Sequence, residues 1–347
     1  MTEDHAPHPV PASPLAGSDP GEPLRVLFFA GSGRSGTTVI NNILGQMEGV
    51  FAAGELRYIW QRGMVEDRLC GCGVPFASCP VWSAVVARAF TGRPGINPGK
   101  IGQRLLSRLR MARVPLMLGR RMLGRPAVAW HHDDVLIGEL YRALLVQTGQ
   151  RLIVDSSKLP PYGLLLSALP GVELYVLHVV RDARATAFSW RRPKRQLDFG
   201  DDQLMPQQQP WKSSLLWLFW NALTSMLWRH AGGQYLRVRY EDFVRDPKAT
   251  MTQVAAMVGL DPALLPFETT TSVRLQPTHS VAGNPDRHRS GSVELLPDAE
   301  WLTAMPAGQR ALVTALTAPA LVGFGYPLLP KASGSNNLHG RANGKTA

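Results

Sequence analysis

The sequence predicts an α/β protein, a doubly wound parallel sheet of about five strands flanked by helices. Two observations carry this. Short, nearly unbroken apolar runs, as in strands buried on both faces, alternate with segments of helical periodicity. The first such run, Leu24–Ala30, passes through a turn rich in Gly, Ser and Thr into Val39, Ile40, Ile43 and Leu44 at helical spacing. A strand, a glycine loop and a helix N-terminus form an anion cradle, because free N–H groups point outward and the helix dipole favours negative charge.

The turn reads Gly31-Ser32-Gly33-Arg34-Ser35-Gly36-Thr37-Thr38. Gly31 and Gly36 have the spacing of a phosphate loop, but Thr37 stands where the ATP-binding version carries a Lys for the outer phosphates. A cation comes earlier, at Arg34, and two hydroxyls follow. The cradle is kept while the triphosphate clamp is missing, which points to an anion other than ATP.

The other elements follow in order. Residues 1–23 hold six prolines and few apolar residues and predict a disordered leader. Gly49–Ala53 reads as a second strand, ending at Gly54-Glu55-Leu56-Arg57. In a parallel sheet Glu55 and Arg57 then lie at the same edge as the anion loop, where α/β sheets bind ligands. Glu55 is a candidate general base; equally, it could be a first-turn Glu complementing a helix dipole. Cys70, Cys72 and Cys79 could be three zinc ligands, with His131 or His132 as a fourth. The one-residue gap between the first two favours a knuckle of buried thiols or one disulfide, and no metal is expected.

Residues 91–132 carry nine Lys and Arg and no Asp or Glu; of the net charge of +11, the rest of the chain holds only +2 (11 − 9). One amphipathic helix is expected from Lys100 to Leu123, with Ile101, Leu105, Leu109, Ala112 and Leu116 on a stripe and Arg104, Arg108, Arg110 and Arg113 around it. Such a basic insert suits an acidic acceptor, a partner or a peripheral membrane contact, or is simply a solvated face. Aromatic residues are not interleaved with the arginines before Trp130, which argues against nucleic acid.

Arg151–Lys158 is a further strand, and its Asp155 could be mistaken for the magnesium-holding Asp of an ATPase. A helix over Tyr162–Leu169, a strand over Leu174–Val180 ending at Arg181, and a helix carrying Ser189 come next. The Trp-rich run Trp211–Trp228 is a helix whose tryptophans pack in the core or line an acceptor pocket. A strand over Tyr235–Tyr240 and a helix from Asp246 to near Gly259 complete one domain over 24–330, and residues 331–347 predict a disordered tail. No apolar run is long enough to span a membrane, the N-terminus lacks a signal pattern, and three Cys make no disulfide scaffold. These features predict a cytoplasmic protein.

Gly33–Thr38, together with Arg181 and a Ser eight residues on at Ser189, resembles the sulfotransferases that use 3′-phosphoadenosine-5′-phosphosulfate, within a P-loop-like fold. The segments Arg239-Tyr240-Glu241-Asp242-Phe243 and His279–Arg287, and the cysteine knuckle, are similar to bacterial members. The resemblance implies that Gly33, Arg34, Ser35, Gly36, Thr37 and Thr38 hold the 5′-phosphosulfate and that Arg181 and Ser189 hold the 3′-phosphate. It also implies that Tyr240 and Arg287 belong to the donor site. Glu55 would be the catalytic base, with Lys158 and Arg34 neutralising the transferring group without a metal. The acceptor would be a hydroxylated carbohydrate, lipid or small molecule. The rival readings are a kinase-like phosphoryl transferase, which would need a loop Lys and magnesium ligands, and a non-catalytic anion- or membrane-binding module.

Overall fold

The computed structural model describes residues 22–329 apart from 94 and 199–202; the expected leader, up to residue 21, and the tail over 331–347 lie outside the described residues. β1 (Leu24–Ala30) leads into α1 (Thr37–Leu44) and β2 (Val50–Gly54). Four helices follow: α2 (Pro80–Phe90), α3 (Pro98–Arg108), α4 (Val114–Met122) and α5 (Asp133–Thr148). Then come β3 (Leu152–Lys158), α6 (Pro160–Leu166), β4 (Val172–Val180), α7 (Ala183–Arg191) and α8 (Pro210–Trp228). β5 (Tyr235–Arg239), α9 (Tyr240–Arg245) and α10 (Pro247–Met257) precede a two-stranded antiparallel pair, β6 (Ser272–Leu275) and β7 (Gly291–Glu294). α11 (Trp301–Ala304) and α12 (Ala307–Gly323) close the described chain.

The main sheet has five strands in the order β2-β3-β1-β4-β5, and every pairing is parallel. β1 is central, and its side chains show why it is nearly all apolar. Val26, Phe28 and Ala30 enter one core and Leu27 and Phe29 the other, the period-2 alternation of a strand covered on both faces. Phe28 packs on Tyr162 of α6 and Trp228 of α8, each with centroids 6.4 Å apart. The chain leaves β1 first to one side of the sheet and later to the other, so a crevice opens at the carboxyl ends of β1 and its neighbours.

The basic segment departs from its expectation twice. It is two helices, because Pro115 has no N–H to donate and its ring would clash with the carbonyl of Met111 in a continuous helix. The chain turns extended at Arg110, and α4 starts with Pro115 in its first turn, where proline is tolerated. Of the expected stripe, Ile101, Leu105 and Leu109 are buried, whereas Ala112 and Leu116 are exposed. Two of the arginines are also tied to buried carboxylates. Arg104 Nε lies 2.7 Å from Asp133 Oδ2, and Arg108 grips Asp134 through both terminal nitrogens at 2.6 and 2.8 Å. Both carboxylates sit in the first turn of α5, just past the acid-free stretch. Among the described residues, no helix is long and apolar enough to cross a membrane.

Candidate active site

Every strand of the parallel sheet delivers a residue to one cleft. β1 ends in the glycine loop, β2 in Glu55, β3 in Lys158, β4 in Arg181 and β5 in Tyr240. Because the strands run parallel, these carboxyl ends share an edge. The cavity there holds about 670 Å³, within the range of small-molecule sites. Among the described residues its lining has eight Arg and Lys side chains against four carboxylates, an excess of positive charge whose field favours anions.

The loop is shaped around its partners. Gly36 caps α1 at φ 82°, and a Cβ there would lie 2.3 Å from the Tyr240 ring. Glycine is therefore required both by backbone and by space. Ser35 Oγ donates to Ser32 O at 2.9 Å and fixes the turn. Arg34 adopts φ 65°, with its guanidinium 4.9 Å from the centroid of Trp190. Burial lowers its pKa, while Asp286 and Glu55 pull it back up. Gly33, Ser35, Thr37 and Thr38 line the same cavity.

Lys158 Nζ donates to Glu55 Oε1 at 2.7 Å and to Ser156 O at 2.9 Å, with both side chains about 15% exposed. Burial alone would raise the Glu55 carboxyl, but Lys158, Arg57 and Arg62 outweigh it and hold the group below its ordinary value. Lys158 sits at φ 66°. Among the described residues the non-glycine positions with positive φ are Arg34, Asp67 and Lys158, and two of these three put a cation into the cleft. Such backbones cost about 1–3 kcal/mol each and persist where the surroundings enforce them, often at functional sites. Here the register of β1 with β3 shifts before the Ala30–Lys158 pair, which re-aims Lys158.

Arg181 and Ser189 both line the cavity. Arg181 Nη1 donates to Arg34 O at 3.2 Å, and its guanidinium lies 4.7 Å from the centroid of Tyr240. Its Nη2 donates to Asp298 Oδ2 at 2.8 Å, and Arg192 approaches the same oxygen at 3.8 Å. Asp298 is 31% exposed, a carboxylate placed where two arginines converge. Arg181 Nε and Arg57 Nε are buried without a hydrogen-bond partner, and both side chains line the cleft. Unmade donors of this kind fit a site built for a larger anion.

Other expected residues take different positions. Arg287 is buried and does not line the cleft; it donates to Ser280 O, Leu69 O and Asp198 Oδ2, and thus braces loops. Asp155 is also fully buried. It accepts from Tyr141, Ser157 and the Leu56 N–H, so it shapes the backbone around Glu55 instead of holding magnesium. Of the Trp-rich helix, Trp217 is buried and donates to Arg181 O at 2.8 Å, whereas Trp220 lines the cleft. Arg62, Trp190, Arg192, Lys194 and Asp298 escaped the sequence reading. The signal was local for Trp190, Arg192 and Lys194, which follow Ser189 directly in the sequence.

Residues 128–263 match a family model described as the sulfotransferase family. The matched stretch holds Lys158, Arg181, Ser189 and Tyr240, with the glycine loop and Glu55 outside it. Among solved structures, the chain is similar to the sulfotransferase domain of the Synechococcus PCC 7002 olefin synthase, at 21% identity over 89% of this chain and 98% of that one, TM-score 0.48. It is similar to the sulfotransferase domain from the curacin biosynthetic pathway at 15% identity, over 87% and 99%, TM-score 0.48. Retinol dehydratase, in a complex with retinol and PAP, is similar at 14% identity over 87% and 82%, TM-score 0.34. No curated protein matches the chain by sequence. The resemblance to sulfotransferases read from the sequence is borne out by the family match.

Proposed function

We propose that this protein is an enzyme that moves a sulfuryl group from 3′-phosphoadenosine-5′-phosphosulfate to a hydroxyl of a carbohydrate, lipid or small-molecule acceptor. The observation that carries this reading is the Lys158–Glu55 pair at 2.7 Å, beside a glycine loop that has Thr37 in place of the phosphate-loop Lys. A second cationic centre at Arg181 and Arg192 supports a donor with two separated anionic groups.

The chemistry asks little of each residue. The acceptor oxygen attacks sulfur, the bond from sulfur to the departing phosphate breaks, and the hydroxyl proton passes to Glu55. Lys158, Arg34 and the loop N–H groups neutralise charge on the sulfuryl and phosphate oxygens. Glu55 is ionised at neutral pH because Lys158 holds it so. When Lys158 turns toward the sulfuryl oxygens, burial dominates and the carboxylate gains proton affinity as the hydroxyl loses its proton. Arg181 and Ser189 take the 3′-phosphate, which displaces Asp298 from Arg181. The exposed remainder of the basic segment, around Arg113, Arg121 and Arg125, is the part proposed to meet an acidic acceptor or an anionic lipid surface.

Phosphoryl transfer remains the rival. A thermal shift with adenosine 3′,5′-bisphosphate against ATP–Mg²⁺ separates the two: ligand at a hundredfold its Kd adds about 2.7 kcal/mol of stability. Stabilisation by the bisphosphate alone is expected, and stabilisation by ATP–Mg²⁺ alone overturns the reading. Labelled donor with a panel of hydroxylated acceptors then identifies the acceptor.

A further inference from the structure

We propose that Cys70, Cys72, Cys79 and His279 form a structural zinc site that fastens one wall of the cleft. Three sulfurs and one imidazole nitrogen converge, all within 4.8 Å of one another. Cys72 Sγ lies 3.8 Å from Cys79 Sγ. His279 Nδ1 lies 3.3 Å from Cys79 Sγ and 3.9 Å from Cys70 Sγ. A tetrahedral zinc with bonds of ~2.3 Å to sulfur and ~2.0 Å to nitrogen sets its ligands about 3.8 Å apart for two sulfurs and about 3.5 Å for sulfur and nitrogen. The Cys72–Cys79 separation equals such an edge, and the two His279 distances, 3.3 and 3.9 Å, fall on either side of theirs. The sulfur separation is far longer than a disulfide bond of about 2.05 Å, and all three thiols are free.

The surroundings are built to bring these four groups together. Cys70 and Cys72 share a tight turn, closed by Cys70 N–H donating to Val74 O at 2.8 Å and Gly73 N–H to Cys70 O at 2.9 Å. The turn presses on the His279 segment, with Gly71 N–H donating to Ser280 O at 2.9 Å. A Cβ on Gly71 would lie 2.4 Å from Thr278 O and 2.5 Å from Ser280 Oγ, so only glycine permits this approach. Cys79 stands at the N-cap of α2, so the first turn of that helix sets its sulfur beside the knuckle. Trp82, buried on Phe51 and Phe76, donates Nε1 to His279 O at 2.7 Å and holds the histidine's backbone in place.

Neither His131 nor His132 takes part; both lie against Asp133. His279 is drawn into the thiol cluster and does not line the cleft. The four ligands join a knuckle before α2 to a segment some 200 residues later in sequence. That segment matters to the cleft: Val281 N–H donates to Ala53 O at 2.9 Å, Glu55 N–H donates to Ala282 O at 3.2 Å, and Gly283, Asn284 and Asp286 line the cavity. A metal here would fix the backbone from which Glu55 projects, as a cross-link closing a long loop, whatever reaction the cleft performs.

The test is metal content of the full chain expressed with zinc in the medium. Mass spectrometry of metals after gel filtration should find about one zinc per chain, released when a mercurial titrates the thiols. Protein loaded with cobalt should show the visible bands of a tetrahedral, thiolate-rich site. Cys72→Ser, at the most exposed of the three cysteines, should retain less than about a tenth of the wild-type zinc and melt at a lower temperature. If that variant does not fold, the wild-type stoichiometry and the cobalt spectrum decide. Wild-type protein without zinc, with three thiols freely alkylated in the native state or a Cys72–Cys79 disulfide, would overturn the proposal.

Discussion

Arginines occupy two regions of this molecule and meet different counter-charges. In the cleft, Arg181 and Arg192 share Asp298, a partly exposed carboxylate that a ligand can displace. In the basic segment, Arg108 is tied to Asp134, whose side chain is wholly buried, and Arg104 to Asp133 at 7% exposure. A cation paired with an exposed carboxylate on a loop is available for exchange; one paired with a buried carboxylate in a helix is part of the fold. Charge density along the sequence does not separate the two cases. What separates them is the depth of the partner.

The largest effects should come from the cleft's own buried pair. Glu55→Gln keeps size but cannot accept a proton, so kcat should fall by roughly 10²–10⁴ while donor affinity barely moves. The pH profile sharpens this. Glu55 is held below the ordinary glutamate value of about 4.3, so activity should be flat at neutral pH and fall only as Glu55 protonates in acid. The stabilisation from the pair has the same sign: present above the ordinary value, lost as pH falls through the depressed one. Lys158→Ala removes the largest opposing charge and leaves burial dominant, so the acid limb of kcat/KM should move to higher pH. A limb that stays put in Lys158→Ala would mean that Glu55 is not the titrating group.

Arg108→Gln tests the other region. It strands Asp134 as a buried carboxylate, which costs about 3–5 kcal/mol. Denaturant titration should show that loss with bisphosphate affinity unchanged in the folded protein. If Arg108→Gln leaves stability intact, the contrast between the two regions collapses.

Next in size, Arg181→Ala should weaken bisphosphate binding by about 1.5–3 kcal/mol, roughly ten- to a hundredfold, as read by calorimetry. Asp298→Asn removes the carboxylate that competes for the same fork and should tighten binding a few-fold. Weaker binding in Asp298→Asn would show instead that Asp298 orients Arg181 for the ligand.

Much of the fold was legible because β1, β3 and the second half of β4 are buried on both faces and announce themselves as apolar runs, and the glycine loop marks the sheet edge where the cleft lies. The strand ends then followed from parallel geometry alone, which is how Glu55, Lys158 and Arg181 reach one edge. What failed depended on contacts distant in sequence. His279 meets the cysteines across some 200 residues, and Asp298 meets Arg181 across 117, pairings no local pattern encodes. Pro115 was a readable break that the periodic stripe of leucines concealed. The short pair β6–β7 has four residues per strand, too few for an alternation to stand out.

The smallest expected effect concerns the cations of the basic segment that no buried acid claims. Arg113 and Arg121 are exposed and pair with no carboxylate among the described residues. Nothing in the packing depends on their charge, so the double change Arg113→Gln with Arg121→Gln should leave stability within about 0.5 kcal/mol. Donor affinity should also be unchanged, since neither residue lines the cleft. Their charge can still act at a distance. An acidic acceptor approaching the protein would lose two attractive charges, and its KM should rise about two- to threefold at low salt. Near 1 M salt the screening length falls to about 3 Å, and the difference should vanish. A salt-independent rise would point to direct contact with the acceptor. An equal rise in donor KM would end the division between a cleft that binds the donor and a segment that meets the acceptor. No change at any salt would leave Arg113 and Arg121 as a solvated face and place acceptor capture wholly inside the cleft.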